Sequence, residues 1–113
     1  MTATAIAADV VQLVDAYIAI WNETDSGARQ ALIARTWTED GSYVDPLMQG
    51  DGHTGIDVMT AGAQAQFSGL QFRRTSEIDA HHNVARFTWE LGPADGPGVA
   101  GGCDIATLAG GCF

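Results

Sequence analysis

Along the first stretch of the chain, Ile6, Val10, Leu13, Tyr17 and Ile20/Trp21 recur at spacings of four, three, four and three. That is one face of an amphipathic helix, predicted from Ala5 to Asn22, with Asp9 and Asp15 off the face. Tyr17 lies on the face, so its ring points inward and its hydroxyl needs a partner. Glu23 to Gly27 reads as a turn, with Asp25 or Ser26 capping a second helix from Gly27 to Trp37. This helix directs Ala28, Leu32, Ile33 and Trp37 to the core. Ser42 to Asp45 is a short strand, and Pro46, which has no N–H to donate, stops its pairing. Gln49 to Gly52 reads as loop. Thr54 and Asp57 have the spacing of a capping box and open a third helix to Phe67. That helix buries Ile56, Met59, Ala63 and Phe67, and Gly62 inside it points to close packing.

From Leu70 the period changes to two. Leu70, Phe72, Arg74, Ser76 and Ile78 share one face of a strand, and Ala80 to Asn83 form a turn. Val84 to Leu91 alternates again, with Ala85, Phe87, Trp89 and Leu91 on one side. The Gly/Pro-rich run Gly92 to Gly98 is a hairpin loop. Val99 to Leu108 is the last strand, where Asp104 shares a face with Ala100, Gly102, Ala106 and Leu108. Hairpin-linked strands after helices predict an α+β layer: an antiparallel sheet with helices packed on one face. If the sheet is strongly bent, it encloses a concave cavity suited to a small molecule.

Composition narrows the function. At 113 residues, 46% hydrophobic and 17% charged, the chain reads as one globular domain over residues 1–113. A net charge of −9 with five basic residues disfavours nucleic acid and anionic membranes, which need Lys and Arg to meet phosphate. No apolar run approaches the ~20 residues of a membrane helix. Met1 to Val10 lacks a basic segment and contains Asp9, so it does not read as a secretory signal, and the expected location is the cytoplasm. Cys103 and Cys112 have neither the spacing nor the companions of a metal site, and are expected to be reduced.

Four segments, in this order, carry a family resemblance. They are Ala16–Asn22, Trp37–Pro46, Gly52–Ile56 and Val84–Leu91. The chain resembles the NTF2-like superfamily, and within it the SnoaL-like polyketide cyclases and ketosteroid isomerase. The resemblance implies a cone: a curved antiparallel sheet with three helices packed on its concave side. It also implies a catalytic set. A base in a strand-end Asp-Pro falls on Asp45, an oxyanion-hole tyrosine on Tyr17, and a late-strand aspartic acid on Asp104. In the cyclases the acid/base Asp also lies on a late strand, again matching Asp104. Trp21, Met59, Phe72, Phe87, Trp89 and His82 are then expected to line the substrate pocket, and a homodimer is expected by analogy.

The chemistry implied is proton abstraction beside a carbonyl, with donors to hold the enolate oxygen. It needs no metal and no cofactor. The substrate would be a small hydrophobic, steroid- or polyketide-like carbonyl compound. Each residue also has a plainer reading. Asp45 before Pro46 caps turns in many proteins. Tyr17 serves equally as core. Asp104 is costly on an apolar face, but a register slip of one residue would turn it to solvent. His53 reads as surface, and His81 and His82 as turn residues. A non-catalytic ligand-binding or dimerisation module is the alternative of a different class. Epoxide hydrolysis on this fold would need an Asp–Arg–Asp set, and the Asp104 strand has no Arg.

The chain departs from the family at its end. The family closes its sheet with one further strand, whereas this sequence ends Gly110-Gly111-Cys112-Phe113. The expectation is a sheet with a bare edge, arising from truncation or frameshift, or covered by a partner chain.

Overall fold

A computed structural model describes the backbone of residues 3–113 and the side chains from residue 9 onward. The Ile6 position of the predicted apolar face lies outside the described side chains. Helix α1 spans Ala3–Asn22. Its buried stripe runs through Val10, Val14, Tyr17, Ile20 and Trp21. Val14, not the predicted Leu13, is at the centre of that stripe. Helix α2 spans Ser26–Thr36, and Asp25 is its cap, accepting from the Ala28 N–H at 2.8 Å. Ala28 is exposed, and Arg29 is buried in its place. The Arg29 guanidinium pairs with Asp57 at 2.6 Å and also donates to Gln64 and to the Glu23 carbonyl.

Strands β1 (Ser42–Val44) and β2 (Gln49–Asp51) form a hairpin. The predicted loop at Gln49–Gly52 is therefore mostly strand. Helix α3 spans Gly52–Gln66, with Asp51 at its cap position and no side-chain cap bond. The predicted capping box does not form, because the helix begins two residues earlier and Thr54 lies inside its first turn; Asp57 pairs instead with Arg29 and Gln30. Thr60 instead back-bonds within the helix to the Ile56 carbonyl at 3.0 Å. No close packing occurs at Gly62, which is exposed. The close approach is at Gly50, where a Cβ would lie 2.7 Å from the Gly55 carbonyl oxygen.

The main sheet is built around β5 (Val84–Gly92). Strand β6 (Ala100–Thr107) runs antiparallel along one edge, from Val84↔Thr107 to Leu91↔Ala100. Strands β3 (Gln71–Arg74) and β4 (Asp79–His81) share the other edge. The predicted continuous strand from Leu70 to Ile78 is thus broken. Between Arg74↔Trp89 and Asp79↔Arg86, residues 75–78 face only Phe87 and Thr88. Extra residues on one strand bend it and increase the twist, so this bulge curls the sheet toward α1. The Ser76 hydroxyl accepts from the Thr88 N–H at 2.9 Å, replacing a ladder bond.

Helix α1 packs on the inner face of the sheet, over Ala85 and Phe87; α2 packs on α1 and α3, and α3 packs on α1 and the hairpin. The result is the expected α+β cone. After β6 the chain turns at Gly110 and Gly111, both with positive φ. Phe113 then enters the core, its backbone bonded to Thr36 and Thr38. Among the described residues no strand pairs with the outer edge of β6, and no helix is long and apolar enough to cross a membrane.

Candidate functional site

Tyr17 is held by aromatic rings on four sides. Trp21, Trp37, Phe87 and Phe113 all meet it edge-on, with centroids 5.6–6.4 Å away. Edge-to-face packing of this kind fixes the ring and aims the hydroxyl. That hydroxyl donates to Asp104 Oδ2 at 2.6 Å. The other carboxylate oxygen of Asp104 accepts from the Trp89 indole N–H at 3.1 Å. The β5–β6 register supplies this second bond. Gly102 lies opposite Trp89, and a Cβ there would lie 2.6 Å from the indole ring. Only a residue without a side chain lets Trp89 lie across β6 and reach Asp104.

The opposite wall comes from the β1–β2 hairpin. Tyr43 and Asp45 are two residues apart on an extended chain, so their side chains share a face. The Tyr43 hydroxyl donates to Asp45 Oδ2 at 2.7 Å. Asp45 Oδ1 accepts from the Leu47 and Met48 N–H groups at 2.7 and 2.9 Å. Asp45 therefore builds the turn through Pro46 as well as facing the site. The Tyr43 ring packs edge-on against Trp21 at 5.3 Å.

Tyr17, Tyr43, Asp45 and Asp104 lie where two cavities meet. The inner cavity, about 110 Å³, has walls of Trp21, Phe72, Trp89 and Met48. It is below the roughly 300 Å³ of an ordinary ligand site. The outer groove, about 660 Å³, runs between β1 and β6. The outer groove alone is within the ordinary range, and it shares Tyr17, Tyr43, Asp45 and Asp104 with the inner cavity.

The electrostatics favour neutral phenols. Burial raises the Tyr17 pKa well above the usual tyrosine range, and the neighbouring Asp104 charge and hydrogen bond raise it further. Burial, the bond to Asp45 and the Asp104 charge raise Tyr43 likewise. A phenolate beside a carboxylate is disfavoured, so both tyrosines remain hydrogen-bond donors.

The structure brings Tyr17, Asp45 and Asp104 together and puts Trp21, Phe72 and Trp89 on the inner wall. The other predicted lining residues are elsewhere. Phe87 is 1% exposed and packs behind the Tyr17 ring. Met59 is buried on α3 and borders a separate shallow depression beside the hairpin. His82 is exposed in the β4–β5 turn with φ of 52°, where a tight turn, not a ligand, dictates its place. Tyr43 was not anticipated. Its signal was its position two residues before Asp45 in a strand, which put both on one face.

A solved structure of a candidate isomerase of the SnoaL-like family from Agrobacterium tumefaciens is 40% identical to this chain. The match covers 91% of this chain and 88% of that one, with a TM-score of 0.86. A candidate polyketide cyclase from Sinorhizobium meliloti is 16% identical over 89% of this chain and 87% of that one, with a TM-score of 0.67. The second likeness is one of fold alone. No family model matches the chain, and no curated protein matches it.

Proposed function

The chain belongs to the SnoaL-like family, and from that premise we propose that it binds a small hydrophobic carbonyl compound and moves a proton at the carbon next to the carbonyl. The observation that carries this reading is the hydrogen bond from Tyr17 to Asp104 at the mouth of an aromatic cavity.

In this reading Asp104 is the acid–base group. Asp45 accepts three donors, two of them backbone N–H groups that hold its turn. Asp104 accepts two, both from side chains, the Tyr17 hydroxyl and the Trp89 indole. This reading gives the base role to Asp104, as the cyclase resemblance does, and leaves Asp45 to hold the hairpin turn and Tyr43.

The step is self-balancing. Asp104 takes the proton from the α-carbon, and the C–H electron pair becomes the enolate double bond. Once protonated, Asp104 no longer attracts the Tyr17 hydrogen, and the hydroxyl is released to the enolate oxygen. Returning the proton from Asp104 to another carbon completes an isomerisation. Attack of the enolate carbon on a second carbonyl in the same molecule, with the proton on Asp104 passing to the alkoxide oxygen so formed, would complete a cyclisation. Tyr43, fixed by Asp45, orients the carbonyl from the other wall.

A second reading is ligand binding without turnover. The mutual pairing of all four polar groups favours it, since each is already satisfied. One experiment separates the two. Hydrophobic cyclic ketones are incubated with the protein in deuterated buffer, and α-proton loss is followed by NMR. The enzymatic reading expects exchange above the buffer rate, reduced by roughly 10²–10⁴-fold in Asp104→Asn. Bound ketones that exchange no faster than in buffer would leave the binding module.

A further inference from the structure

We propose that Trp89 sets the size of the inner cavity and so restricts the site to carbonyl compounds of a single ring, refusing fused-ring ones. The inference rests on the reading that this site holds a carbonyl compound, and it names the class.

Four rings form a continuous arc around the inner cavity. Tyr43 meets Trp21, Trp21 meets Phe72 and Phe72 meets Trp89, with centroids 5.3, 5.3 and 5.5 Å apart. A carboxylate tethers each end of the arc, Asp45 holding Tyr43 and Asp104 holding Trp89. The middle is held through the backbone. The Asn22 side-chain amide, one residue after Trp21, accepts from the Phe72 N–H and donates to the Phe72 carbonyl, both at 2.8 Å. An amide that pairs with both backbone groups of one residue locks α1 to β3, so Trp21 and Phe72 keep their separation.

Trp89 differs from the other rings, because an absent side chain sets its place. The indole lies across β6 at Gly102, where a Cβ would lie 2.6 Å from Cζ2 and 2.9 Å from Cε2. Carbon atoms pack at roughly 3.5–4.0 Å. A side chain at position 102 would therefore lift the indole off β6 and into the cavity. The size of the cavity thus turns on how closely one indole lies against one glycine.

A volume of about 110 Å³ is room for one ring. A closed apolar cavity of about 150 Å³ takes a benzene. This one opens where it meets the groove, so a single ring need not be fully enclosed. A second, fused ring finds no space between the locked walls unless Trp89 moves. The ring belongs here and not in the outer groove, because Trp21, Phe72 and Trp89 surround it, whereas the groove also carries Thr38, Asp40, Ser42 and Thr107. Apolar surface gains most from leaving water against apolar walls. With the ring inside, its carbonyl meets Tyr17 and Asp104, which border both spaces.

The test is an NMR titration of the full chain with phenol and 2-naphthol, which offer the same hydroxyl on one ring and on two. The wild type should bind phenol about tenfold or more tighter than 2-naphthol. Trp89→Phe, which makes room for a second ring, should remove or reverse that preference. Ratios are compared between proteins, so the difference in acidity between the probes cancels. Gly102→Ala should shift the Trp89 indole N–H resonance and weaken phenol about tenfold. Combining it with Trp89→Phe should return phenol affinity to that of Trp89→Phe alone, a recovery that general loss of packing would not give. The wild-type ratio needs no variant and decides the matter even where a variant does not fold. Equal binding of the two probes by the wild type would put the ring in the outer groove and overturn the proposal. So would phenol failing to bind, an unchanged ratio in Trp89→Phe, or no recovery in the double variant. The proton-transfer reading fails separately. A preference for phenol without α-proton exchange of cyclohexanone sinks that reading and leaves the single-ring limit standing. Equal exchange of cyclohexanone and the two-ring ketone 2-decalone keeps that reading and sinks the limit.

Discussion

Phe87 and Asp104 stand directly opposite each other in the β5–β6 ladder. Phe87 is fully buried, so the same register carries Asp104 to the inner face of the sheet and within 2.6 Å of the Tyr17 hydroxyl. A slip of one residue would put the carboxylate in solvent and Cys103 or Ile105 in the cavity. The apolar alternation of β5 therefore fixes the position of Asp104.

The first prediction concerns that pair. Phenols of graded acidity imitate an enolate and should bind where Tyr17 and Asp104 meet. Tyr17→Phe and Asp104→Asn should each weaken phenol binding. Because the two groups share one hydrogen bond, the double variant should lose less than the sum, with a coupling of about 1–3 kcal/mol. Strictly additive losses in a titration series would mean that the two groups do not act together on the ligand.

Tyr17 should also make the fold sensitive to alkali. Its pKa is raised on folding, by burial first and then by Asp104. Between the unfolded tyrosine value, about 10, and the raised folded value, the native state holds more protons than the unfolded state. Stability is therefore fully present below pH ~10 and falls above it, by up to about 1.4 kcal/mol per pH unit for one group. Urea midpoints measured from pH 9 upward should show this slope, and Tyr17→Phe should flatten it by about one proton.

Arg29 tests a different part of the molecule. It is 5% exposed and ties α2 to α3 through Asp57 and Gln64 and to the end of α1 through the Glu23 carbonyl. Removing Arg29 leaves the Asp57 carboxylate, 17% exposed, with only the neutral Gln30 amide as a side-chain partner. Arg29→Ala should cost about 3–5 kcal/mol in urea unfolding. Arg29→Met with Asp57→Leu, which removes both charges and keeps the volume, should cost much less.

The sequence revealed the scaffold because the scaffold is periodic. The 3.6-residue stripe through Val10, Tyr17 and Trp21 and the alternation of Ala85, Phe87 and Leu91 are set by burial alone, and both elements formed where predicted. The inward placement of Asp104 and Tyr17 was legible for the same reason, since both interrupt apolar faces. What was illegible depended on partners distant in the chain. Arg29 looks like a surface residue until Asp57 and Gln64 are brought beside it. The capping box expected at Thr54 and Asp57 is absent because the β2 hairpin strand leads into α3 at Gly52, two residues before Thr54. The bulge at residues 75–78 depends on the Ser76 hydroxyl standing in for a backbone carbonyl, which no periodicity encodes. Met59, Phe87 and His82 were expected in the pocket on residue type. The helix face, the Tyr17 ring and the turn geometry put them elsewhere.

Gly50 and Gly62 give opposite predictions from the same substitution. Gly50 is buried in β2, opposite Tyr43, and a Cβ there would lie 2.7 Å from the Gly55 carbonyl oxygen and 3.0 Å from its carbon. Those atoms are backbone at the start of α3 and cannot rotate away. Gly50→Ala should therefore push β2 from α3 at a cost of about 1–3 kcal/mol. Gly62 lies in the middle of α3, exposed, and a Cβ added there would meet nothing within 4 Å. There Gly62→Ala removes backbone freedom from the unfolded chain and should stabilise by about 0.5–1 kcal/mol. The two variants also differ in their effect on the site. Shifting β2 moves its partner Tyr43 and, with it, the Tyr43–Asp45 wall, so Gly50→Ala should weaken phenol binding even where the protein remains folded. Gly62→Ala should leave that affinity unchanged. Equal affinities in the two folded variants would show that the hairpin wall does not touch the ligand.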